Sequence, residues 1–410
     1  MPTTVIHASR ILTPEEEISD GIIVVEGSRI AAIGHRDTMR LPTGAIDYVA
    51  SGMTVVPGFV DIHIHGAGGH DFMEGNARAL DRITSTVARH GTTSLVATTV
   101  TAPVEETCHS LEGIARYIRN HEEPKEPAEN GRAAAEILGI HLEGPFISKA
   151  RRGVHPPDSI ARPSIEVLDK FLKAADGLVR ILTIAPELPG AMELIGPALA
   201  AKIVVGLGHT DADYDQARAA IHAGARHAVH TYNAMRPFTH RDPGIVGAIL
   251  TDPEVTAEII ADMVHVAGPA IQVLIGTKGF DTILLVSDGI AATGMPDGNY
   301  RLGNFEVAVK DGVARNDEGK LAGSTLTLDR ALRNVVALGV PLRDAVRMAT
   351  VLPARRLGLA GKKGILAVGA DADLPVIRNK VRITRFIQAS CFKPGADPCS
   401  LSITSDRRWF

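Results

Sequence analysis

The sequence predicts an α/β fold: a (β/α)8 TIM-like barrel with a small flanking β-sandwich domain built from both chain ends. Three observations lead to this prediction. Strand-like runs alternate with helix-like segments through the middle of the chain, short strands with close turns occupy both ends, and titratable side chains end most of the middle strands. We place the β-domain at residues 1–54 and 362–410, and the barrel at residues 55–361.

The two ends of the chain share a pattern of short strands separated by glycine and proline. Strand-like runs occur at residues 4–11, 21–26, 29–33 and 45–49, and similar runs return at 305–309, 313–315 and 364–369. Short strands with close turn signals are typical of an antiparallel sheet. We therefore expect these segments to meet in the β-domain.

The middle of the chain alternates between strands and helices. The strand-like runs are residues 54–65, 92–99, 137–143, 179–185, 202–209, 227–232, 256–265 and 282–287, and helical periodicity marks 77–90, 105–120, 164–175, 213–223 and 326–337. This alternation predicts a parallel barrel, with a doubly wound open sheet as the alternative. No Gly-x-Gly-x-x-Gly motif opens a helix after the first strand, so dinucleotide binding is not favoured.

Composition and charge exclude several classes of partner. Of the 410 residues, 45% are hydrophobic and 22% charged, as in ordinary globular proteins. A net charge of -4 provides no basic field for nucleic acid or an anionic membrane. The chain shows no secretory signal pattern and no long apolar run, and three cysteines fit a reducing compartment. We expect a cytoplasmic protein without nucleic-acid or membrane partners.

Titratable side chains end six of the eight predicted barrel strands. In chain order they are His63 and His65, then His141 and Glu143, then His209, His230, His265 and Asp288. Because a barrel places its active site at the carboxyl ends of its strands, these side chains should converge. His63 and His65, two residues apart on a strand, point to the same face. Any one histidine could be structural, but the joint placement predicts a divalent-metal site.

Four short motifs resemble those of known enzymes. Residues 57–66, Pro-Gly-Phe-Val-Asp-Ile-His-Ile-His-Gly, resemble the strand-one motif of the amidohydrolase superfamily. Residues 141–146 (His-Leu-Glu-Gly-Pro-Phe), 230–235 (His-Thr-Tyr-Asn-Ala-Met) and 321–324 (Leu-Ala-Gly-Ser) resemble a narrower family, the N-acetylglucosamine-6-phosphate deacetylases. The resemblance extends from the N-terminal strands to about Asp373.

The resemblance implies metal-dependent hydrolysis of the N-acetyl group of N-acetyl-D-glucosamine 6-phosphate. Glu143, His209 and His230 would hold the main divalent metal, and His63 and His65 a second one that Glu143 bridges. One or two metals per subunit are expected; the donors suit Zn best, and also Fe, Co or Mn. The fourth strand ends Ile-Ala-Pro-Glu at residues 184–187. It carries no lysine, which favours bridging by glutamate over the carboxylated lysine of other superfamily members.

The resemblance also implies roles for residues around the metal. Asp288 would act as general base and then general acid; a turn or helix cap is its structural alternative. Substrate contacts would come from Val154, His155, Asn233, Ala234, Arg241, His265, Leu321, Ala322 and Gly323. The family is typically dimeric, so we expect a homodimer in which Arg241 reaches the substrate phosphate across the interface. A salt bridge to Asp242 is the alternative for Arg241.

Other functions stay open. They are deacetylation of N-acetylgalactosamine 6-phosphate and a catalytically inactive binding protein on the same fold, while Glu143 and residues 230–235 disfavour a cyclic amidase or deaminase. The sequence departs from the family at Met263, where relatives often carry glycine, and at Pro375, inside an expected strand. After Leu374 the tail loses the pattern, so a diverged edge strand, a disordered end and a shifted reading frame are alternatives.

Overall fold

The computed structural model describes residues 3–121, 134–378 and 382–388. Its strands are β1 (Thr3–Leu12), β2 (Glu17–Glu26), β3 (Arg29–His35), β4 (Ile46–Val55), β5 (Phe59–Ile64), β6 (Gly66–Ala67), β7 (His70–Asp71), β8 (Thr92–Thr99), β9 (Glu136–Glu143), β10 (Val179–Ile184), β11 (Val204–Leu207), β12 (His227–Ala228), β13 (Thr256–Ile260), β14 (Ile283–Val286), β15 (Gly298–Leu302), β16 (Phe305–Lys310), β17 (Val313–Arg315), β18 (Asp373–Arg378) and β19 (Arg382–Gln388). Its helices are α1 (Ala77–Ala88), α2 (Val104–His121), α3 (Ile165–Ala174), α4 (Ala191–Ala200), α5 (Tyr214–His222), α6 (Gly244–Thr251), α7 (Gly268–Lys278), α8 (Leu328–Ala337), α9 (Leu342–Ala349) and α10 (Val351–Arg356).

The predicted barrel is confirmed. Strands β5 and β8 to β14 form one eight-stranded parallel sheet in chain order. The chain after β14 meets β5, where the Asp288 amide donates to the His63 carbonyl at 2.9 Å and the His65 amide to the Gly289 carbonyl at 2.7 Å. All residues of β5, β8 and β14 are buried, as expected for parallel strands covered by helices.

Three of the helices around the barrel, α1, α3 and α5, begin at side-chain caps. Asn76 caps α1 by accepting from the Ala79 amide, and Asp213 with Gln216 forms a capping box at α5. In α1 the buried side chains include Leu80, Ile83 and Val87, spaced at helical intervals against the sheet. Among the described helices, none is long and apolar enough to cross a membrane.

A second sheet is built from both ends of the chain, as predicted. Its strand order is β19-β18-β4-β1-β2-β3, and every pairing is antiparallel except β1 with β4. The parallel pair corrects the expectation of a purely antiparallel sheet. After β3, the chain crosses back to the edge of β1 that β2 leaves free, and β4 runs there in the same direction as β1. The domain boundaries at residues 54/55 and 361/362 stay predictions.

Three predicted segments do not belong to this sheet. Residues 305–309 and 313–315 lie in β16 and β17, which form a separate three-stranded antiparallel sheet with β15. Leu302 and Val307 of this small sheet pack with Val100 beside the barrel. Residues 364–369 form no strand; instead the Gly369 amide donates to the Ile30 carbonyl at 2.8 Å. Short strands flanking a turn indicate a hairpin but not which sheet it joins.

Several barrel strands end earlier than predicted. Thr54 and Val55 belong to β4, so β5 begins only at Phe59. Strands β11, β12 and β13 end at Leu207, Ala228 and Ile260, and the histidines that follow them lie in loops. The apolar pattern continues into these loops because they are buried too, so periodicity alone did not mark the strand ends.

Pro375 occupies an inner strand, β18, between β19 and β4. Its carbonyl accepts from the Val56 amide at 3.1 Å, and β18 has an irregular register with β19 between Val376 and Ile377. An irregularity next to the proline accommodates its missing N–H. β19 is an edge strand, which favours the diverged-edge-strand alternative for residues 382–388; the rest of the tail, with Cys391 and Cys399, lies outside the described residues.

Candidate active site

The barrel brings the predicted metal ligands together around Glu143, the last residue of β9. Its Oε1 lies 2.9 Å from His230 Nε2, 3.1 Å from His209 Nε2 and 3.3 Å from His63 Nε2. Its Oε2 lies 3.2 Å from His65 Nε2 and 3.5 Å from His155 Nε2. One carboxylate therefore contacts imidazoles that the sequence separates by up to 167 positions, from His63 to His230.

Asp288 closes the other side of this cluster. Its Oδ1 lies 3.2 Å from His65 Nε2 and 3.6 Å from His63 Nε2. Asp288, His209 and His230 have φ values of 49°, 47° and 30°, in the left-handed region that non-glycine residues rarely adopt. Such backbone strain concentrates at functional sites, because the surrounding structure must hold it.

The residues present fit a divalent metal. Three groups, His63–His65–Asp288, His63–Glu143–His230 and Glu143–His155–His209, each place their ligand atoms within 4.8 Å of one another. His63 Nε2 is buried and forms no hydrogen bond among the described residues, although two carboxylates face it. A cation between these groups satisfies both the orphaned nitrogen and the carboxylate oxygens.

The protonation of the cluster shows how strongly its charges depend on one another. Burial alone would lower the pKa of His65, but hydrogen bonds to Asp288 and Glu143 outweigh it and raise that pKa to about 9. Burial lowers the pKa of His209 to about 4 against the attraction of Glu143. Burial would raise the pKa of Glu143, but the charges of His63 and His209 hold it well below the usual value. A divalent metal between these side chains would balance the carboxylates in place of protons, and the histidines would bind it in their neutral form.

A buried carboxylate beneath the ligands, Glu258 of β13, was not predicted. Its Oε2 lies 2.9 Å from His63 Nδ1 and accepts from the His230 amide at 3.0 Å. Its Oε1 lies 2.8 Å from His227 Nε2. Burial would raise the pKa of Glu258, but the charges of His63 and His227 keep it well below the usual value. A lone acidic residue inside a strand that should be fully buried was the available signal.

Backbone and hydroxyl groups orient two further histidines. His209 Nδ1 lies 3.0 Å from the Arg151 carbonyl, and His155 Nδ1 lies 2.9 Å from the Thr101 hydroxyl. Glu187, at the end of the fourth strand, accepts from the Thr210 hydroxyl at 2.5 Å and thus braces the loop after His209. This glutamate occupies the region where other superfamily members were expected to carry lysine.

His141 lies near the end of β9, as predicted, and its ring packs edge-on against His63 with centroids 4.7 Å apart, but it is not a metal ligand by position. Its Nε2 lies 2.7 Å from the Thr183 hydroxyl, and it belongs to none of the three metal-competent groups. Burial holds the pKa of His141 well below the usual value. It is a neutral, hydrogen-bonded histidine of the barrel interior, the structural alternative that the sequence left open.

A cavity of about 190 Å³ opens above the cluster. Its lining contains most of the predicted site residues, namely His65, Glu143, Val154, His155, His209, His230, Asn233, Ala234, His265, Asp288, Leu321 and Gly323, with Val100, Gly153 and Leu302 in addition. Three predicted residues are not part of this lining. His63 and Ala322 are buried behind it, and Arg241 is exposed on a loop.

Arg241 does not form the salt bridge to Asp242 that was the alternative to phosphate binding. Asp242 pairs with Arg236 instead, whose Nε and Nη2 donate to Asp242 Oδ2 at 2.9 and 2.8 Å. Within the part of the chain that the structure describes, Arg241 forms no hydrogen bond or ion pair. Its guanidinium is therefore available to a group from outside the chain.

His265 faces the cavity and is held by an aspartate that the sequence analysis did not single out. Asp262 Oδ2 lies 2.7 Å from His265 Nδ1, and Ser324 donates to the same oxygen at 2.8 Å. Burial would lower the pKa of His265, but the Asp262 hydrogen bond and charge outweigh it and raise that pKa. Met263, between them, has φ of 67°, a conformation that favours the glycine relatives often carry there.

Comparisons with known proteins agree on one family. The family described as "Amidohydrolase family" matches residues 54–392. The N-acetylglucosamine-6-phosphate deacetylase of Vibrio furnissii is 38% identical over 92% of this chain and 92% of its own. The N-acetylgalactosamine-6-phosphate deacetylase of Escherichia coli O157:H7 is 36% identical over 93% of this chain and 97% of its own.

Solved structures agree with the sequence relatives. A mutant N-acetyl-D-glucosamine-6-phosphate deacetylase of Mycobacterium smegmatis, in complex with N-acetyl-D-glucosamine 6-phosphate, superposes with a TM-score of 0.87 at 38% identity. The match covers 95% of this chain and 99% of that one. The Thermotoga maritima N-acetylglucosamine-6-phosphate deacetylase superposes with a TM-score of 0.82 at 29% identity, over 95% of this chain and 100% of that one.

Proposed function

The chain belongs to the amidohydrolase family and, within it, to the N-acetylglucosamine-6-phosphate deacetylases, and on this premise we propose that it converts N-acetyl-D-glucosamine 6-phosphate and water to glucosamine 6-phosphate and acetate. One observation carries the proposal: Glu143 contacts five imidazoles beside Asp288, at the floor of a cavity lined by most of the residues expected to contact substrate. A protein that only binds the sugar phosphate would not require a cluster of metal-competent side chains.

Glu143, His209 and His230 would hold the main divalent ion, and His63 and His65 a second ion that Glu143 would share. A bound ion of this kind lowers the pKa of a water ligand towards about 7 and polarises the amide carbonyl. Imidazole and carboxylate donors favour Zn, and they suit Fe, Co or Mn as well. We therefore propose one or two ions per subunit.

Asp288 moves the proton. Burial would raise its pKa, but the His65 hydrogen bond and the charge of His63 lower it, so the carboxylate is ionised at neutral pH. An ionised carboxylate only accepts, so Asp288 takes a proton from the attacking water. It then gives this proton to the amine nitrogen as the C–N bond breaks, and acetate and the free amine result.

The cavity residues hold the sugar and its phosphate. Val154, His155, Asn233, Ala234, Leu321 and Gly323 line the space next to the reacting amide, and Ala322 supports Leu321 and Gly323 from behind. His265, whose protonated form Asp262 favours, would offer a hydrogen-bond donor to the substrate. We propose that, in a homodimer, Arg241 contacts the phosphate of the substrate bound in the partner subunit. Arg241 is exposed, and its guanidinium fork suits phosphate.

We also place the protein in the cytoplasm. Cys108 is a free thiol in the described residues, and three cysteines in the whole chain leave little scope for a disulfide framework. A phosphorylated sugar is charged and is retained inside cells, so its deacetylase would act there.

Deacetylation of N-acetylgalactosamine 6-phosphate is the second candidate. The Escherichia coli relative of that name is 36% identical to this chain, close to the 38% of the glucosamine relative. One inverted hydroxyl separates the two substrates, and the same ligand cluster could serve both. The complete cluster disfavours the inactive binding protein.

Acetate release from both sugar phosphates tests the function directly. We expect the zinc-loaded protein to hydrolyse both, with the higher kcat/KM for the gluco epimer, and a chelator to abolish turnover until zinc is restored. A higher kcat/KM for the galacto epimer would favour the second candidate. A metal-loaded, folded protein that releases acetate from neither would contradict the deacetylase proposal.

A further inference from the structure

Glu258 is a fully buried carboxylate beneath the predicted metal ligands, and no step of the proposed reaction uses it. It lies in the middle of β13 with 0% of its surface exposed. A buried charge destabilises a fold unless it is paired and hydrogen-bonded. The partners of Glu258 therefore indicate what the carboxylate does.

Two of its three partners belong to the ligand cluster. Glu258 Oε2 lies 2.9 Å from His63 Nδ1 and accepts from the backbone amide of His230 at 3.0 Å. His63 is a predicted ligand of the second ion and His230 of the main ion. The third partner, His227, lies 2.8 Å from Oε1 on the side away from the cluster, and its Nδ1 lies 2.8 Å from the Thr256 hydroxyl.

The contact with Glu258 determines which nitrogen of His63 can bind a cation. Because an ionised carboxylate only accepts hydrogen bonds, His63 Nδ1 carries the proton that joins them. His63 Nε2 then presents its lone pair towards Glu143 Oε1, 3.3 Å away, and Asp288 Oδ1, 3.6 Å away. This Nε2 is buried without a hydrogen bond to any described residue, so its lone pair is available to coordinate a cation.

His65, the other half of the pair, lacks such support. Its Nδ1 is buried and forms no hydrogen bond within the described chain. His65 Nε2 faces Glu143 and Asp288 at 3.2 Å each. Of the two rings, only that of His63 has a carboxylate at its Nδ1, the nitrogen that faces neither Glu143 nor Asp288.

We propose that Glu258 is a positioning residue that sets the Nδ1–H tautomer and the ring orientation of His63, and thereby makes His63 and His65 a working second metal site. Ligating histidines commonly donate their other N–H to a carboxylate, and loss of that partner weakens metal binding by about 10- to 100-fold. The inference rests on the proposed function only in taking His63 as a metal ligand.

Zinc binding to the full-length Glu258→Gln variant tests the inference. Glutamine keeps the shape but not the charge, and its amide can accept on one side only. We expect wild-type protein to bind two zinc ions per subunit in dialysis against buffered zinc, counted by mass spectrometry. The variant should keep the tighter ion and bind the weaker one about 10- to 100-fold less tightly.

His227→Gln is the matched control. Its amide can still donate to Glu258 Oε1, and the bond between Glu258 and His63 stays intact, so both zinc ions should be retained. Glu258→Asp is the second variant, for use if Glu258→Gln does not fold: it keeps the charge but withdraws the carboxylate by one methylene, and should also weaken the second ion. Thermal unfolding of each metal-free variant separates loss of stability from loss of metal.

The tautomer of His63 should change on substitution only if Glu258 sets it, and not if Glu258 merely stabilises the fold. In zinc-loaded protein labelled with ¹⁵N-histidine, His63 is assigned by the signal that His63→Ala removes. We expect a protonated Nδ1 in the wild type and a mixed or reversed tautomer in Glu258→Gln. An unchanged tautomer, an unchanged second zinc affinity, an equal loss in His227→Gln, or a wild type that binds a single zinc would each overturn the inference.

These results separate the inference from the proposed function. Wild-type protein that binds two zinc ions without releasing acetate would contradict the deacetylase proposal and leave the role of Glu258 standing. Full acetate release by wild-type protein with one zinc would leave the function standing and overturn the role of Glu258.

Discussion

Buried carboxylates at single positions define the site, because each of them is paired with imidazoles. Glu143 and Asp288 share the strand-one histidines, and Glu258 holds His63 from behind. A buried charge that lost its partners would be strongly destabilising. Substitutions in this cluster should therefore be conservative in shape, so that chemistry and folding can be told apart.

Asp288→Asn should separate proton transfer from metal binding. Asparagine is close in shape but cannot accept the proton of the attacking water, so kcat should fall by about 100-fold or more while zinc content stays unchanged. Steady-state acetate release together with metal analysis measures both. Retained turnover would show that another group carries the proton, and a parallel loss of zinc would make Asp288 a ligand instead.

The pH dependence of KM should show whether Asp262 raises the pKa of His265. Asp262 raises the pKa of His265, so the imidazolium that we propose as a contact of the substrate phosphate is complete below the ordinary value near 6.5 and is lost as pH rises through the raised value. KM for the phosphorylated substrate should therefore increase at alkaline pH. In Asp262→Asn this increase should begin at a lower pH, because the charge that favours the cation is gone.

Ser324→Ala is the control for that profile. It removes one hydrogen bond to Asp262 but leaves the carboxylate beside His265, so its profile should resemble the wild type. Unphosphorylated N-acetylglucosamine should show a smaller pH effect on KM in every variant. If Asp262→Asn and wild type gave the same profile, His265 would not act as the cationic contact.

The secondary-structure elements act as a scaffold that presents loop residues. Glu143 is carried by a strand, whereas His65, His209, His230 and Asp288 follow the ends of β5, β11, β12 and β14. Helices predicted at 77–90, 105–120, 164–175, 213–223 and 326–337 correspond to α1, α2, α3, α5 and α8. Helix α6 has no such periodic signal, since six of its eight residues are buried and no polar face alternates with an apolar one.

Two glycine-to-alanine substitutions test how closely the helices pack. A Cβ at Gly113 in α2 would lie 1.9 Å from the Gly75 carbonyl oxygen, so Gly113→Ala should lower the free energy of unfolding by about 1–3 kcal/mol. Gly276 in α7 is exposed with nothing within 4 Å of that position. Gly276→Ala should instead raise the free energy of unfolding by about 0.5–1 kcal/mol, because alanine favours the helix.

Denaturant midpoints of the two zinc-loaded variants, compared with wild type, measure these changes. The pair serves as its own control, since both substitutions add one methyl group to a helix. If both variants were stabilised, helix propensity would dominate and α2 could move away from Gly75 without loss.

The molecule as a whole joins a barrel to a sheet that uses both chain ends. Lys363 connects them, with its Nζ 2.6 Å from Glu136 at the start of β9 and 2.8 Å from Asp371 near β18. The active-site cavity lies at the opposite ends of the barrel strands from this connection. The contacts of Lys363 with Glu136 and Asp371 therefore lie away from the candidate active site.

Mixed dimers should show whether Arg241 acts across a subunit interface. Asp288→Asn and Arg241→Ala homodimers should each be nearly inactive. After dissociation and reassociation, a mixed dimer contains one site with an intact Asp288 that receives Arg241 from its partner, so activity should recover towards a quarter of the wild-type rate by about 1:2:1 random pairing.

Light scattering gives the oligomeric state, and acetate release gives the activity. Mixing either variant with itself under the same conditions is the control and should restore nothing. A monomeric protein, or a mixture that stays inactive although mixed dimers form, would place Arg241 in its own subunit's site or outside the site altogether.

The sequence by itself determined the barrel and the identity of its metal-competent side chains. Alternation of strands and helices is a local property that periodicity reveals, and barrel topology then requires residues at the carboxyl ends of strands to meet. His63, His65, Glu143, His209, His230 and Asp288 therefore could be grouped before any contact was known. Motifs of four to ten residues narrowed the grouping to one family.

Only the tertiary structure decided which of these residues touch and what supports them. Glu258 reaches His63 across 195 positions, and Asp262 meets Ser324 across 62, so neither contact leaves a periodic signal. The same holds for His141, which contacts the Thr183 hydroxyl and packs against His63 without being a ligand by position, and for β16 and β17, which lie in a separate sheet. Such outcomes depend on the three-dimensional placement of distant segments, and local sequence patterns carry no information about the distance between them.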